Sequence, residues 1–195
     1  MAEIKVLVKG YARKEGSVTI ASPSTVLIID NGLKIIADPG ANKTSLLESL
    51  ADAKLKPEDI DMIFLTHYHL DHILNLKLFP EKMVLDNDTI YKGDEEFPFS
   101  EKIPDTDITV MQTPGHAHEH ASLLVETIEG KIVIAGDLWW WYDNEEQKTD
   151  YDSLINRKDP YVKDEAALLE SRKKVLEIAD FVIPGHGIMF KVTRG

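Results

Sequence analysis

The chain has 195 residues, 43% of them apolar, which suits one domain over residues 1–195 with a sizeable core. No stretch approaches the roughly 20 apolar residues of a membrane span, and Met1-Ala2-Glu3-Ile4-Lys5-Val6 lacks a signal-peptide core, so the expected location is the cytoplasm. The balance of 34 acidic and 22 basic residues, a formal −12, argues against a nucleic-acid partner, and the absence of cysteine excludes disulfides and thiolate ligands.

Ile4 to Lys9 reads as a strand and Gly10 to Gly16 as a polar turn. Ser24 to Ile29 and Leu33 to Ala37 are apolar runs joined by Asp30-Asn31-Gly32, a hairpin signal. Residues 43 to 54 carry a helical apolar pattern that stops before Pro57. Asp61-Met62-Ile63-Phe64-Leu65 reads as a buried strand, and Ile73 to Phe79 as a short helix. Residues 80 to 105 mix short apolar pieces, Met83 to Leu85 and Ile90-Tyr91, with Asp, Gly and Pro, and read as an irregular arm near the site. Asp107 to Gln112 is a further strand, Ala121 to Glu126 and Lys131 to Ala135 a second hairpin, residues 164 to 179 a long helix, and Phe181-Val182-Ile183 the last buried strand.

The two hairpins form a weak internal repeat. Ser24 to Asp38 and Ser122 to Asp137 share a leading Ser, an apolar strand, a Gly turn, and a second strand ending in Ala before an Asp. Two strand-rich halves with helices outside predict an α/β chain folded as a four-layer αββα sandwich. Strand ends from both halves would then meet along one edge.

All seven histidines fall in three short stretches, each after an expected strand: His67, His69 and His72; His116, His118 and His120; and His186. In Thr66-His67-Tyr68-His69-Leu70-Asp71-His72, the i, i+2 spacing aims His67 and His69 the same way from an extended backbone. Asp71 and His72 follow where the chain turns, so one loop can offer ligands to two points. A polar surface loop would not share this pattern with two other stretches. His186 lies between Gly185 and Gly187, which suits a tight turn aiming the ring at a ligand.

This stretch, with Thr113-Pro114-Gly115-His116, Gly136-Asp137 and Pro184-Gly185-His186-Gly187, closely resembles the metallo-β-lactamase-fold hydrolase superfamily in its His-x-His-x-Asp-His form. The resemblance runs from Ile4 to Val192. The segments Asp71 to Pro80 and Ser171 to Gly187 look like a narrower group of small hydrolases similar to metallo-β-lactamase domain-containing protein 1. The resemblance implies the αββα sandwich and two metal ions, zinc first, with iron or manganese fitting the same donors. Carried over by motif, one ion is held by His67, His69 and His116, the second by Asp71, His72 and His186, and Asp137 bridges both. Two such ions, roughly 3.5–4 Å apart, share a water and lower its pKa towards 7, so no side chain need be the nucleophile. Asp71 and Asp137 are the carboxylates assigned to catalysis, Asp71 orienting the nucleophile.

Several residues keep more than one reading. Asp38 occupies the repeat position of Asp137 and either hydrogen-bonds a metal histidine or caps the next helix. His118 and His120 depart from the superfamily's usual Thr and Gly, and read as loop packing, a further metal ligand or a substrate contact. Ser122 matches the family's serine and supports the loop. Leu138 to Asp164 reads as an insertion, with Trp139-Trp140-Trp141-Tyr142 as a pocket wall, a lid or a homodimer contact.

The function implied is zinc-dependent hydrolysis of a small-molecule ester, lactone or thioester, without a membrane or nucleic-acid partner. The alternatives are phosphodiester or RNA cleavage by the same ions, and a metal-binding protein without catalysis. A cysteine-ligand β-lactamase is excluded by composition, and a flavin-linked di-iron reductase is disfavoured because that group carries Glu in place of the second motif histidine.

Overall fold

Alternating apolar residues build two sheets whose inner faces meet. The computed structural model describes residues 1–193. It opens with β1 (Glu3–Val8), β2 (Tyr11–Glu15), β3 (Val18–Ser22), β4 (Thr25–Asp30) and β5 (Leu33–Ala37), followed by α1 (Lys43–Asp52), β6 (Met62–Phe64) and α2 (Leu70–Ile73). β7 (Met83–Leu85), β8 (Thr89–Lys92) and β9 (Glu95–Pro98) complete a seven-stranded sheet of order β1-β4-β5-β6-β7-β8-β9. A second sheet of five strands joins β10 (Thr109–Gln112), β11 (Ala121–Thr127), β12 (Gly130–Trp140), β13 (Phe181–His186) and β14 (Phe190–Lys191) in that order. Between β12 and β13 run α3 (Tyr151–Ile155) and α4 (Glu165–Ile178).

The strand period of two divides each sheet into faces. Ile28, Ile35, Phe64, Leu123, Ile132 and Ile134 share one core between the sheets. Their sequence neighbours Leu27, Ile36 and Ile63 point outwards and pack on Leu46 and Leu50 of α1. Val133 and Ala135 likewise pack outwards on Leu168, Val175 and Leu176 of α4. The layers are therefore helix, sheet, sheet and helix, the αββα architecture expected from the repeat. Both repeat hairpins, β4–β5 and β11–β12, lie inside their sheets.

β5, β6 and β7 are parallel, as are β12 and β13. Their carboxyl ends open on the same edge, where α/β sheets place ligands. Among the described residues no helix is long and apolar enough to cross a membrane.

Three expectations are corrected. Gly10 to Gly16 is not a turn: Tyr11–Glu15 pairs with Val18–Ser22 in a separate two-stranded hairpin. The sequence hides it because Arg13, Lys14 and Glu15 face solvent. Residues 80 to 105 are not an irregular arm, since β7, β8 and β9 extend the first sheet by regular pairing. Leu138 to Trp140 do not begin an insertion either, and of the readings of the Trp run the pocket wall fits Trp140, which lines a cavity beside Asp137. Trp139, Trp140 and Trp141 are 0%, 6% and 3% exposed, and β12 runs on through Leu138 to Trp140.

Trp139 packs in the outer core with Phe190, and its Nε1 donates to Leu154 O at 2.9 Å. Trp139→Ala should destabilise the fold by about 3–5 kcal/mol, read as a lowered urea midpoint.

Candidate metal centre

The strand ends deliver the site. β6 ends at Phe64 and passes through Thr66 and His67 into α2, whose first turn carries Asp71 and His72. β10 leads to His116, β12 carries Asp137, and β13 ends on His186. The seven residues expected as ligands come together in two groups: His67, His69, His116 and Asp137, and Asp71, His72 and His186, the ligand atoms of each group lying within 4.8 Å of one another.

Asp137 stands between the groups. Its Oδ2 lies 3.4 Å from His116 Nε2 and 3.8 Å from His67 Nε2. Its Oδ1 lies 3.5 Å from His72 Nε2 and 3.6 Å from His186 Nε2. His186 Nε2 also lies 3.3 Å from Asp71 Oδ2, and His69 Nδ1 lies 3.0 Å from His116 Nε2. Each Asp137 oxygen thus faces a different set of imidazoles.

Four rings are held from behind, each through Nδ1. His67 Nδ1 donates to Thr66 Oγ1 at 3.0 Å, and His72 Nδ1 to Asp38 Oδ2 at 2.8 Å. His116 Nδ1 donates to Asp159 Oδ2 at 2.6 Å, and His186 Nδ1 to the Tyr11 carbonyl at 2.9 Å. Carboxylate and carbonyl oxygens only accept, so His72, His116 and His186 carry a proton on Nδ1, and Thr66 Oγ1, which donates to Asp38, accepts from His67; the Nε2 atoms of all four point at the centre. His67 Nε2, His72 Nε2 and Asp137 Oδ1 are buried without any hydrogen-bond partner. Buried polar atoms left unpaired are costly and rare. Several of them converging in a nitrogen and oxygen set suit a divalent cation.

Burial and the facing carboxylates pull the groups of the cluster in opposite directions. Burial alone would raise the Asp137 carboxyl, but His186, His72 and His116 hold it well below the ordinary carboxylate range. Burial would lower His72, yet Asp38 and Asp137 push it well above the usual histidine value. Burial, with His72 beside it, keeps His67 well below that value and neutral.

The remaining expectations resolve as follows. Asp38 takes the histidine role, accepting from His72, Thr66 N at 2.9 Å and Thr66 Oγ1 at 2.7 Å. The cap of α1 is Asn42, whose Oδ1 accepts from Ser45 N. His118 is exposed and outside both groups. His120 is buried and pushed down to about 3, burial being the main cause, and its Nδ1 meets Thr113 Oγ1 at 3.0 Å. Ser122 Oγ supports Thr113 Oγ1 at 2.8 Å. Asp159 is the functional residue that sequence reading missed. Besides His116 it accepts from Trp140 Nε1 and Tyr161 N, joining the Trp run to the site. Its Asp-Pro context in a charged stretch carries no ligand signal.

A match to the family model for the metallo-beta-lactamase superfamily covers residues 18–99. Metallo-beta-lactamase domain-containing protein 1 of Xenopus laevis is 31% identical over 201 residues, covering 98% of this chain and 82% of the relative. The chain belongs to the metallo-beta-lactamase superfamily. It is a metal-dependent hydrolase of that superfamily, and a probable metallo-hydrolase of Methanocaldococcus jannaschii is also 31% identical, over 96% of this chain and 89% of the relative. Solved structures share the superfamily's fold. A Thermotoga maritima protein named as a candidate metallo-beta-lactamase superposes with a TM-score of 0.70 at 23% identity, covering 97% and 99% of the two chains. The dizinc quorum-quenching lactonase AidC superposes with a TM-score of 0.65 at 18% identity, covering 87% of this chain and 73% of its own.

Removing Asp159 leaves the buried His116 Nδ1 without its acceptor. Asp159→Ala should weaken metal binding by about 10–100-fold while the circular dichroism spectrum stays that of the parent, as measured by competition with a chromophoric chelator.

Proposed function

We propose that this hydrolase works with two zinc ions on a small ester, lactone or thioester. The observation that carries the reading is Asp137, whose Oδ2 faces His67 and His116 and whose Oδ1 faces His72 and His186. His67, His69 and His116 would hold one ion, Asp71, His72 and His186 the other, and Asp137 would reach both. The imidazole and carboxylate donors suit zinc, while iron or manganese would accept the same set. Bound divalent ions supply Lewis-acid polarisation of the acyl oxygen and an acidified water as nucleophile.

The chain's own residues do the rest. Asp71 is the more open carboxylate, its side chain 29% exposed against 8% for Asp137. Burial would raise its carboxyl, but the hydrogen bond from His186 and the nearby His72 hold it below the ordinary value. It stays ionised and orients the nucleophile towards the cavity. Trp140, 6% exposed, forms one wall and keeps water from that side. Asp38, Asp159, Thr66 and the Tyr11 carbonyl fix the imidazoles so that little reorganisation accompanies the reaction. A phosphodiester substrate finds less support, because the residues lining the cavity include neither Lys nor Arg.

The test joins metal content to turnover. Dialysed, zinc-loaded protein should retain about two equivalents of zinc by emission spectroscopy, in line with a two-ion site. It should hydrolyse acyl lactones, thioesters or aryl esters, with Asp137→Ala losing both metal and activity. One equivalent of metal would refute the dinuclear reading. Cleavage confined to a chromogenic phosphodiester or single-stranded RNA would refute the substrate class.

A further inference from the structure

The metal centre opens into a cavity of about 510 Å³ whose walls differ in character. On one side lie Leu70, the first residue of α2, and Leu74, the residue that follows it, whose backbone N–H still bonds to the Leu70 carbonyl. They are 68% and 47% exposed, far more than the core requires. Their i, i+4 spacing puts them side by side on one helix face. The separate β2–β3 hairpin packs near α2 and contributes the small residues Ala12 and Ala21. Ala12, Ala21, Leu70 and Leu74 thus line the same cavity. At its inner end, Trp140 lies beside Tyr161 and Tyr142, with ring centroids 5.6 and 5.2 Å away.

The charge of this cavity is one-sided. Asp71 and Asp137 line it, and no Lys or Arg does. Three cations on neighbouring segments are held by other groups. Lys14 Nζ sits over the Tyr142 ring at 5.5 Å, Arg13 pairs with Glu15 at 2.9 Å, and Arg157 pairs with Glu145 at 2.6 Å. A second carboxylate on a substrate would meet Asp71 and Asp137 in the lining and no lysine or arginine to pair with. An apolar arm would cover two exposed leucines and gain from it.

We propose that this cavity selects an uncharged acyl substrate whose apolar arm lies between Leu70 and Leu74, at the two ends of α2, and Ala12 and Ala21 of the hairpin. This rests on the ester-hydrolase reading above and names the substrate within it. These side chains recognise the arm, and the missing cation excludes substrates with a second, anionic end.

The experiment compares p-nitrophenyl acetate, butyrate, hexanoate and hemisuccinate on the zinc-loaded protein, with rates corrected for the Asp137→Ala blank. The expected kcat/KM rises about two- to fourfold per CH2 through hexanoate, and the hemisuccinate falls well below the butyrate of similar length. In the Leu70→Ala, Leu74→Ala double variant the hexanoate-to-acetate ratio should collapse. Leu74→Lys should raise the hemisuccinate-to-butyrate ratio. Phe97→Ala, at an exposed apolar residue of β9 outside the cavity lining, should leave both ratios unchanged. Calorimetry with hexanamide, acetamide and succinamate gives a readout without turnover, and hexanamide should bind tightest. A flat length profile with acetate still hydrolysed would overturn the proposal, as would hemisuccinate matching butyrate. If no ester is hydrolysed, the ester-hydrolase reading fails by itself. The amides then judge the arm contact alone, and equal binding of all three overturns it.

Discussion

One carboxylate surrounded by imidazoles is the constraint around which the molecule is arranged. Asp137 is 5% exposed, its Oδ1 has no hydrogen-bond partner, and four histidine Nε2 atoms lie within 3.8 Å of its two oxygens. The buried Nε2 atoms of His67 and His72 face this carboxylate without a hydrogen-bond partner. Such a cluster persists only where the surrounding fold is stable enough to hold it. Two packed sheets with a helix layer on each outer face supply that rigidity, and every ligand stands on or just beyond a strand end.

Close approach of the strand ends makes the cluster possible. A Cβ on Gly185 would overlap Asp137 Oδ1, and a Cβ on Gly10 would overlap the Gly185 carbonyl. These two glycines let β13 lie against β12 and let the start of the β2–β3 hairpin lie against β13. The approach also brings the Tyr11 carbonyl to His186 Nδ1. The hairpin therefore orients a ligand as well as walling the cavity.

The supports of the rings come from distant parts of the chain. Asp38 follows β5 in the first sheet, Asp159 lies between α3 and α4, and Tyr11 begins the hairpin. Arg172, buried on α4, donates to Leu138 O and Arg157 O and so ties the segment that carries Asp159 to the end of β12. Damage to this layer would loosen the site without touching a ligand. The same segment brings Tyr161 to the cavity, so the support behind His116 and one wall of the cavity share one scaffold.

The sequence by itself determined which seven residues gather at the site, because histidines paired with strand ends and turn glycines form a local pattern that composition does not produce by chance. It also determined the layering, because period-two apolar runs in two similar hairpins specify two sheets with covered faces. Asp38 was legible through the repeat. What only tertiary structure decided depended on partners distant in sequence. Tyr11–Glu15 is a strand because Val18–Ser22 pairs with it, and its charged residues conceal that. Trp139 and Trp141 are core because residues of α3, α4 and β14 pack with them, whereas Trp140 lines the cavity, one of the readings the bare run allowed. Asp159 became a support for His116 only when the chain between α3 and α4 folded back over a distance of 43 residues. Hydrophobic period is written along the chain, but the acceptor behind a buried imidazole is set by packing, which no local pattern encodes.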